Sequence, residues 1–540
     1  MNRFITLFFC CFFVISIAHS QESNSNNNID QIAIKALIDK LENNKTVKID
    51  GEKVTAKSFL ANLYKKNNYS LLWTSSKNIK DLIKIIDDSY YEGLNPKDYH
   101  IEFIKTRASK LSNSSNSQEK AEFDIVLTNA IQTYAAHLIQ GKVHPTKLNP
   151  SWNYGQRLIP DSAEFLFLDH LANENLIEGI NSIKTEMPMY AKLKKWFVTY
   201  DSILKAGGDI KQLEYPEKAL RIGDTSSVVT NLKLHLNNYG ISVENTSQIF
   251  DEELDLALKE FQQHNGLDAD GIAGKKTYDA LNLSLQDRMD KIRVNLERCR
   301  WLNNEIPSDY LLVNIADFNL YLWRNHKVVY RSRVVVGKEK HATPVFTSDI
   351  KYVVFNPTWT IPYSIATKET LPKLKKDPNY LKKHNMTLLK NGNVVDPSNF
   401  NFNDYSTKRF PFTVRQEPGS NNALGQVKFI FPNKYSVYLH DTPSKGFFNR
   451  SERTFSHGCI RVQNPLLLAE QLLKDIDYDQ KKIKEVLDTK KITNVNLSKP
   501  LPVMLMYWTC YENEVNNRLY FFSDVYKRDE KLLKELNEKR

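Results

Sequence analysis

Between residues 32 and 205 apolar side chains recur every three to four positions. Ile79, Leu82, Ile83 and Ile86 form one such stripe, and Ile125, Leu127, Ile131, Tyr134 and Leu138 form another. Residues at that spacing share one face of an α-helix, so the stretch reads as a helical scaffold domain. Gly93-Leu94-Asn95-Pro96 and Gly141-Lys142-Val143-His144-Pro145 supply its helix stops. Past a Gly-containing linker at 206–209, a compact unit over 219–284 carries two further stripes, Val229, Leu232, Leu236 and Leu254, Leu258, Phe261. Asp251, followed by Glu252 and Glu253, is expected to cap the second of these helices.

From Tyr310 the period drops to two. Residues 311–315, 318–323, 328–336, 351–355, 427–431, 435–440 and 503–511 are expected strands, with turns at Asn325 and Asn433. One helix is expected after them, with Asn464 as its N-cap and Pro465 at its first position. Residues 366–405, rich in Lys and Asn, interrupt the strand pattern as a capping insertion. The expected fold is multidomain α+β: a helical scaffold (32–205), a small three-helix domain (219–284), a connecting helix (285–309), a mostly-β domain (310–512) and a C-terminal hairpin and helix (513–540).

Residues 1–20 depart from that plan. Arg3, an apolar run from Phe4 to Ala18, and Ala18-His19-Ser20 have the layout of a secretory signal peptide, with a retained N-terminal anchor as the alternative. Ser- and Asn-rich residues 21–31 read as a disordered spacer. Export leaves Cys299, Cys459 and Cys510, an odd number where paired cysteines oxidise, so at least one thiol stays free or pairs between chains. The net charge of +11 suits an anionic envelope polymer or a carboxylate-rich substrate. The chain shows no basic stripe interleaved with aromatics, which argues against nucleic acid.

The chemistry concentrates in Tyr438-Leu439-His440-Asp441 and Ser456-His457-Gly458-Cys459-Ile460-Arg461. A thiol attacks as its thiolate, and an imidazole nearby can take that proton or hold it in an ion pair. Strand alternation puts Tyr438 and His440 on one face. Gly458 lets the backbone turn tightly before Cys459, which would aim amides at an oxyanion. A buried cysteine is more often an inert hydrophobe, and His440, His457 and Cys459 are also suitable zinc ligands, although no fourth ligand is evident.

The segment from His440 to Cys459 resembles the signature of the YkuD-type L,D-transpeptidases: a His, then Ser/Thr-His-Gly-Cys some fifteen residues on, with Arg two positions past the thiol. Asn295-Leu296-Glu297-Arg298, Arg300-Trp301, Asn356-Pro357-Thr358-Trp359, Arg415-Gln416 and Phe431-Pro432-Asn433 resemble the large periplasmic subgroup typified by YcbB. Residues 219–284, with Asp270-Gly271-Ile272-Ala273-Gly274, resemble the peptidoglycan-binding type 1 domain. The resemblance implies that Cys459 is acylated by a tetrapeptide stem with release of D-Ala, and that His440 moves the proton. A diamino-acid side chain of a second stem then forms a 3→3 cross-link. It implies further that the Asp441 carbonyl holds the imidazole, that the amides of Gly458 and Cys459 form the oxyanion hole with His457 beside them, and that Arg461, Ser456, His457 and Tyr438 shape the pocket. Asp441 replaces the commoner small residue. Peptidoglycan stems, and wall glycan at 219–284, are the implied partners, with no cofactor, no metal and no nucleic acid. Carbapenem acylation of Cys459 is implied too. A hydrolase on the same site and a non-catalytic wall-binding protein are the competing readings.

Overall fold

The computed structural model describes residues 28–44, 47–111, 114–148, 152–153, 157–159, 163–208, 212–302, 306–514 and 516–539. The expected signal peptide lies outside them, as does residue 21–27 of the expected spacer; residues 28–31 of that spacer belong to a helix over 28–43.

The scaffold is helical, as its periodicity predicts. Leu82, Ile86, Tyr99, Leu127, Ile131 and Leu138 bury their side chains in one core. Gly93 and Gly141 end helical segments at φ +74° and +84°. Gly141 also meets the connecting helix: a Cβ there would lie 2.7 Å from Glu297 and from Trp301. The small domain has three helices, Ser227–Asn238, Glu252–His264 and Lys275–Leu281, closed around Leu232, Leu236, Leu254, Leu258 and Phe261. Asp251 accepts the Leu254 amide at 2.9 Å and so caps its helix as expected.

The connecting helix, Leu285–Arg300, ties the parts together through buried polar side chains. Glu297 accepts from the Val143 amide of the scaffold at 2.6 Å and from Arg300 at 2.7 Å. Arg298 donates to Asp529 of the C-terminal helix at 2.6 Å, while Asn295 and Thr509 exchange two hydrogen bonds of 3.0 Å. Removing one partner of such a buried pair strands the other, so these motif residues serve the joint between domains.

Eight strands form a closed ring. They are β1 (Tyr310–Asn314), β2 (Asn319–Arg324), β3 (Lys327–Gly337), β4 (Val345–Phe355), β5 (Val427–Ile430), β6 (Leu439–His440), β7 (Ile460–Val462) and β8 (Thr493–Met506). The order is β5-β6-β7-β3-β2-β1-β8-β4, and β4 pairs back onto β5. Val334, Val336, Val427, Phe429, Leu439, Ile460 and Val462 point inward, each worth roughly 1.5–3 kcal/mol when fully buried. Trp152–Asn153, a strand of the scaffold, adds to β4 at Val345 and Phe346.

Four expectations shift. The strand over 435–440 contracts to Leu439–His440, because Asn433 Oδ1 accepts the amides of Tyr435 and Val437 and Ser436 sits at φ +55°. β8 starts at Thr493 rather than 503; Pro500 and Pro502 hid it, and Pro500 falls where its register slips while Pro502 stands opposite Asp349. A second helix, Gln480–Asp488, follows Pro465–Leu473, and Asn464 makes no side-chain cap. The cap reaches beyond 366–405: its own core runs from Ile361 to Val414 over a four-stranded sheet that includes Trp359–Thr360 and Phe412–Gln416.

Candidate active site

β6 and β7 run parallel, with Leu439 opposite Ile460 and His440 opposite Arg461. The Ile460 amide donates to the Tyr438 carbonyl at 3.1 Å, which extends that register one residue and sets Cys459 beside Tyr438. On the other side of β6, Lys428 of β5 is the partner of His440. Paired residues share a face. Lys428, His440 and Arg461 therefore form one row on the outside of the ring, with Tyr438 and Cys459 in the next.

The Cys459 thiol donates to the Ser436 carbonyl at 3.8 Å, and the Tyr438 hydroxyl stands beside it. Burial raises the thiol above its ordinary value, against the Tyr438 contacts and the Arg461 charge. The Tyr438 and His440 rings meet edge to face at 5.7 Å, and burial holds the Tyr438 phenol well up. His440 Nδ1 bonds the Asp441 carbonyl, which assigns the proton to Nδ1 and leaves the Nε2 lone pair free. Burial, then Arg461 and Lys428, push the imidazole down to about 3, against the Asp441 bond. The resting pair is thus thiol and neutral imidazole, not an ion pair. The expected direct contact between them is absent from the hydrogen bonds of the described residues, where the sulfur is held by Ser436.

The other expected residues take varied places. Ser456, 2% exposed, shapes the turn rather than a pocket: its Oγ donates to the Cys459 carbonyl at 2.5 Å and accepts the Gly458 amide at 3.1 Å. The Gly458 amide is therefore occupied, and Cys459's is the one left for an oxyanion. Gly458 adopts φ +114°, open only to glycine, and its carbonyl accepts from Thr343 at 2.9 Å. His457 Nε2 faces Glu369 of the cap. The Asp441 carboxylate accepts the Gln426 amide at 2.9 Å and pairs with Lys445. Arg461 lies 5.9 Å over the Phe447 ring, with its buried Nε unpartnered.

Sequence reasoning gave no site role to Lys428 and Trp359, though both belong to the family-like motifs, and missed Glu369; they reach the site from other strands and the cap. Burial lowers the Lys428 amine, and its ammonium stands 5.9 Å over the Tyr438 ring. Its alternation with inward Val427 and Phe429 was the available signal. Among the described residues no three His, Cys, Asp or Glu side chains are grouped to hold a metal ion. Cys299 and Cys510 are free and fully buried, and burial raises both thiols.

Residues 308–488 match the family model described as "L,D-transpeptidase catalytic domain". This stretch is an L,D-transpeptidase catalytic domain. Residues 58–196 match "Scaffold domain" and 225–281 match "Putative peptidoglycan binding domain", so three matched regions flank the domain's joints described above. Over 251 residues the chain is 38% identical to a "Putative L,D-transpeptidase" of Haemophilus influenzae, covering 46% of this chain and 50% of that one. It is 41% identical over 73 residues to the N-acetylmuramoyl-L-alanine amidase CwlM of Mycobacterium tuberculosis, covering 12% of this chain and 18% of that protein. The chain thus spans half or less of these curated relatives. A solved L,D-transpeptidase from Stackebrandtia nassauensis aligns at 13% identity over 55% of this chain and 96% of that one, with a TM-score of 0.22. In the L,D-transpeptidase domain of this chain, Cys459 and His440 occupy adjacent strands of the ring.

Proposed function

We propose that the protein is an exported, periplasmic L,D-transpeptidase that joins peptidoglycan stems in 3→3 linkage, using Cys459 as nucleophile and His440 as base. The supporting observation is the β6–β7 register, which turns Tyr438, Cys459, His440 and Arg461 to one outer face of an L,D-transpeptidase catalytic domain. Among the described residues no helix is long and apolar enough to cross a membrane.

Rotation of the thiol from Ser436 toward His440 Nε2 lets the imidazole take the sulfur's proton as sulfur attacks the carbonyl of the third stem residue. The oxyanion is met by the Cys459 amide. Collapse breaks the bond to the terminal D-Ala, whose nitrogen leaves with the His440 proton, and a thioester remains. The side-chain amine of a second stem then attacks the thioester, His440 accepts its proton, and the proton returns to the departing sulfur. Lys428 and Arg461 supply cations for the stem carboxylates.

Mass spectrometry of the protein incubated with tetrapeptide muropeptides tests this. A stem acyl adduct on the wild type, none on Cys459→Ala, and cross-linked dimers among the products are expected, and a carbapenem should give the same Cys459-dependent adduct. Full acylation of Cys459→Ala would remove the assignment, and tripeptide without dimer would replace transfer by hydrolysis.

A further inference from the structure

A second cleft, of about 430 Å³, lies between the peptidoglycan-binding-like domain and the ring. Gln263, His264 and Leu267 line one wall, and Arg331 and Arg333 of β3, with Arg453, line the other. Arg331 and Arg333 alternate with inward Ser332 and Val334, so they lie on the same outer face as Val335, which pairs with Arg461.

These arginines continue a basic ridge from the thiol. Arg461 and Arg450 both sit over Phe447, at 5.9 and 5.7 Å, and Arg450 also covers Phe455 at 5.2 Å. Arg333 donates to the Phe448 carbonyl at 3.1 Å, and Arg453 to the Arg450 carbonyl at 2.6 Å. Their charges meet carbonyls and rings, and no carboxylate forms an ion pair with any of them among the described residues. Two acids line the cleft: Asp317, whose carboxylate accepts the hydroxyls of Tyr321 and Tyr511 at 2.8 and 2.9 Å and whose charge is felt by Arg331 and Arg453, and Glu260, which lies 3.6 Å from Arg518. The ridge is assembled from three separate segments, 331–333, 447–455 and 461, so it leaves no contiguous basic stripe along the chain.

We infer that this cleft is a second substrate site, which holds the free carboxylates of peptide stems on a peptidoglycan strand whose neighbouring stem occupies Cys459. The inference rests on the reading of peptidoglycan as substrate. Distance supports it: antiparallel pairing puts Cys459 abreast of Gly337, so Arg333 is four strand positions away, ~13 Å at ~3.3 Å per residue. An extended stem of four residues reaches ~14 Å. An anionic strand leaving the thiol along the ridge therefore arrives between the arginines and the peptidoglycan-binding-like domain.

The test is fluorescence anisotropy with labelled, uncross-linked glycan strands carrying tetrapeptide stems, using full-length Cys459→Ala protein so that no ligand is turned over. Arg331→Gln/Arg333→Gln in that background should bind about tenfold more weakly. Arg331→Lys/Arg333→Lys should recover most of the loss, and strands stripped of their stems should bind weakly to every form. Affinity within about twofold of the parent for the Gln pair overturns the inference. So does equal binding of stem-free strands, or of a single-stranded oligonucleotide of equal length. Should the double variant fail to fold, the exposed single change Arg331→Gln is read in the same way, with about threefold as its threshold. Acylation of wild-type Cys459 by a short soluble muropeptide is scored separately. Its failure with arginine-dependent binding intact sinks the catalytic reading and leaves the cleft standing.

Discussion

His457 Nε2 lies 2.9 Å from Glu369 Oε1, so the turn that carries the thiol is fastened to the cap by one polar contact. Both side chains are well exposed, at 37% and 48%, and exposed pairs contribute about 0–1 kcal/mol. The contact therefore biases the position of the cap without locking it. Glu369→Gln should leave stability within about 1 kcal/mol and raise the rate of Cys459 alkylation by iodoacetamide about two- to fivefold. Alkylation kinetics followed by mass spectrometry check this, and an unchanged rate removes the cap from control of access.

Acid should affect activity and stability differently from an ordinary histidine. With its folded value near 3, His440 stays neutral across the usual assay range, so kcat/KM should show no acid limb near 6.5. The folded value lies below the unfolded one, so the unfolded chain binds this proton first. The stability that follows is fully present above about 6.5 and is lost as pH falls from there to about 3. Arg461→Gln removes a neighbouring cation and should move the acid limb upward. An ion-paired thiolate would instead alkylate at a flat rate from pH 5 upward, which a pH series with iodoacetamide detects.

Gly425 has φ +61°, and a Cβ on it would lie 2.2 Å from Asp441 Oδ2. Gly425→Ala therefore combines a left-handed backbone cost of about 1–2 kcal/mol with displacement of Asp441, whose carbonyl holds His440. A lowered melting temperature together with slower acylation is expected. Loss of stability with acylation unchanged would show that Asp441 does not position the imidazole.

Lys428 shares a row with His440, and its amine is pressed toward neutrality by burial alone. Lys428→Met keeps the stem over Tyr438 and deletes the charge. KM for tetrapeptide donors should rise about tenfold with a smaller change in kcat. Equal loss on a donor whose stem carboxylates are amidated would exclude charge recognition.

Much of this was legible in the chain. Period-two alternation gave the faces of Tyr438 and His440 correctly even though the regular strand there is two residues long, because the register with Ile460 preserves it. The scaffold stripes and the Asp251 cap were local signals and survived, except that Ile125 packs into a separate core with Ile34 and Leu60. Lys428, Glu369 and the arginine ridge were not legible, because alternation says which face a residue takes and not which strand lies alongside. The partner of the Gly458 amide was not legible for a related reason: the acceptor, Ser456 Oγ, depends on how the turn folds. Pro500 and Pro502 hid the start of β8, and a register slip accommodates Pro500.

Trp152–Asn153 covers the stretch of β4 that β5 does not reach. An unpaired strand edge is a template for pairing with other chains. The helical scaffold is thus a stopper as well as a support: a catalytic half expressed without it would present raw backbone donors and acceptors at Val345 and Phe346, and should self-associate before its chemistry could be measured.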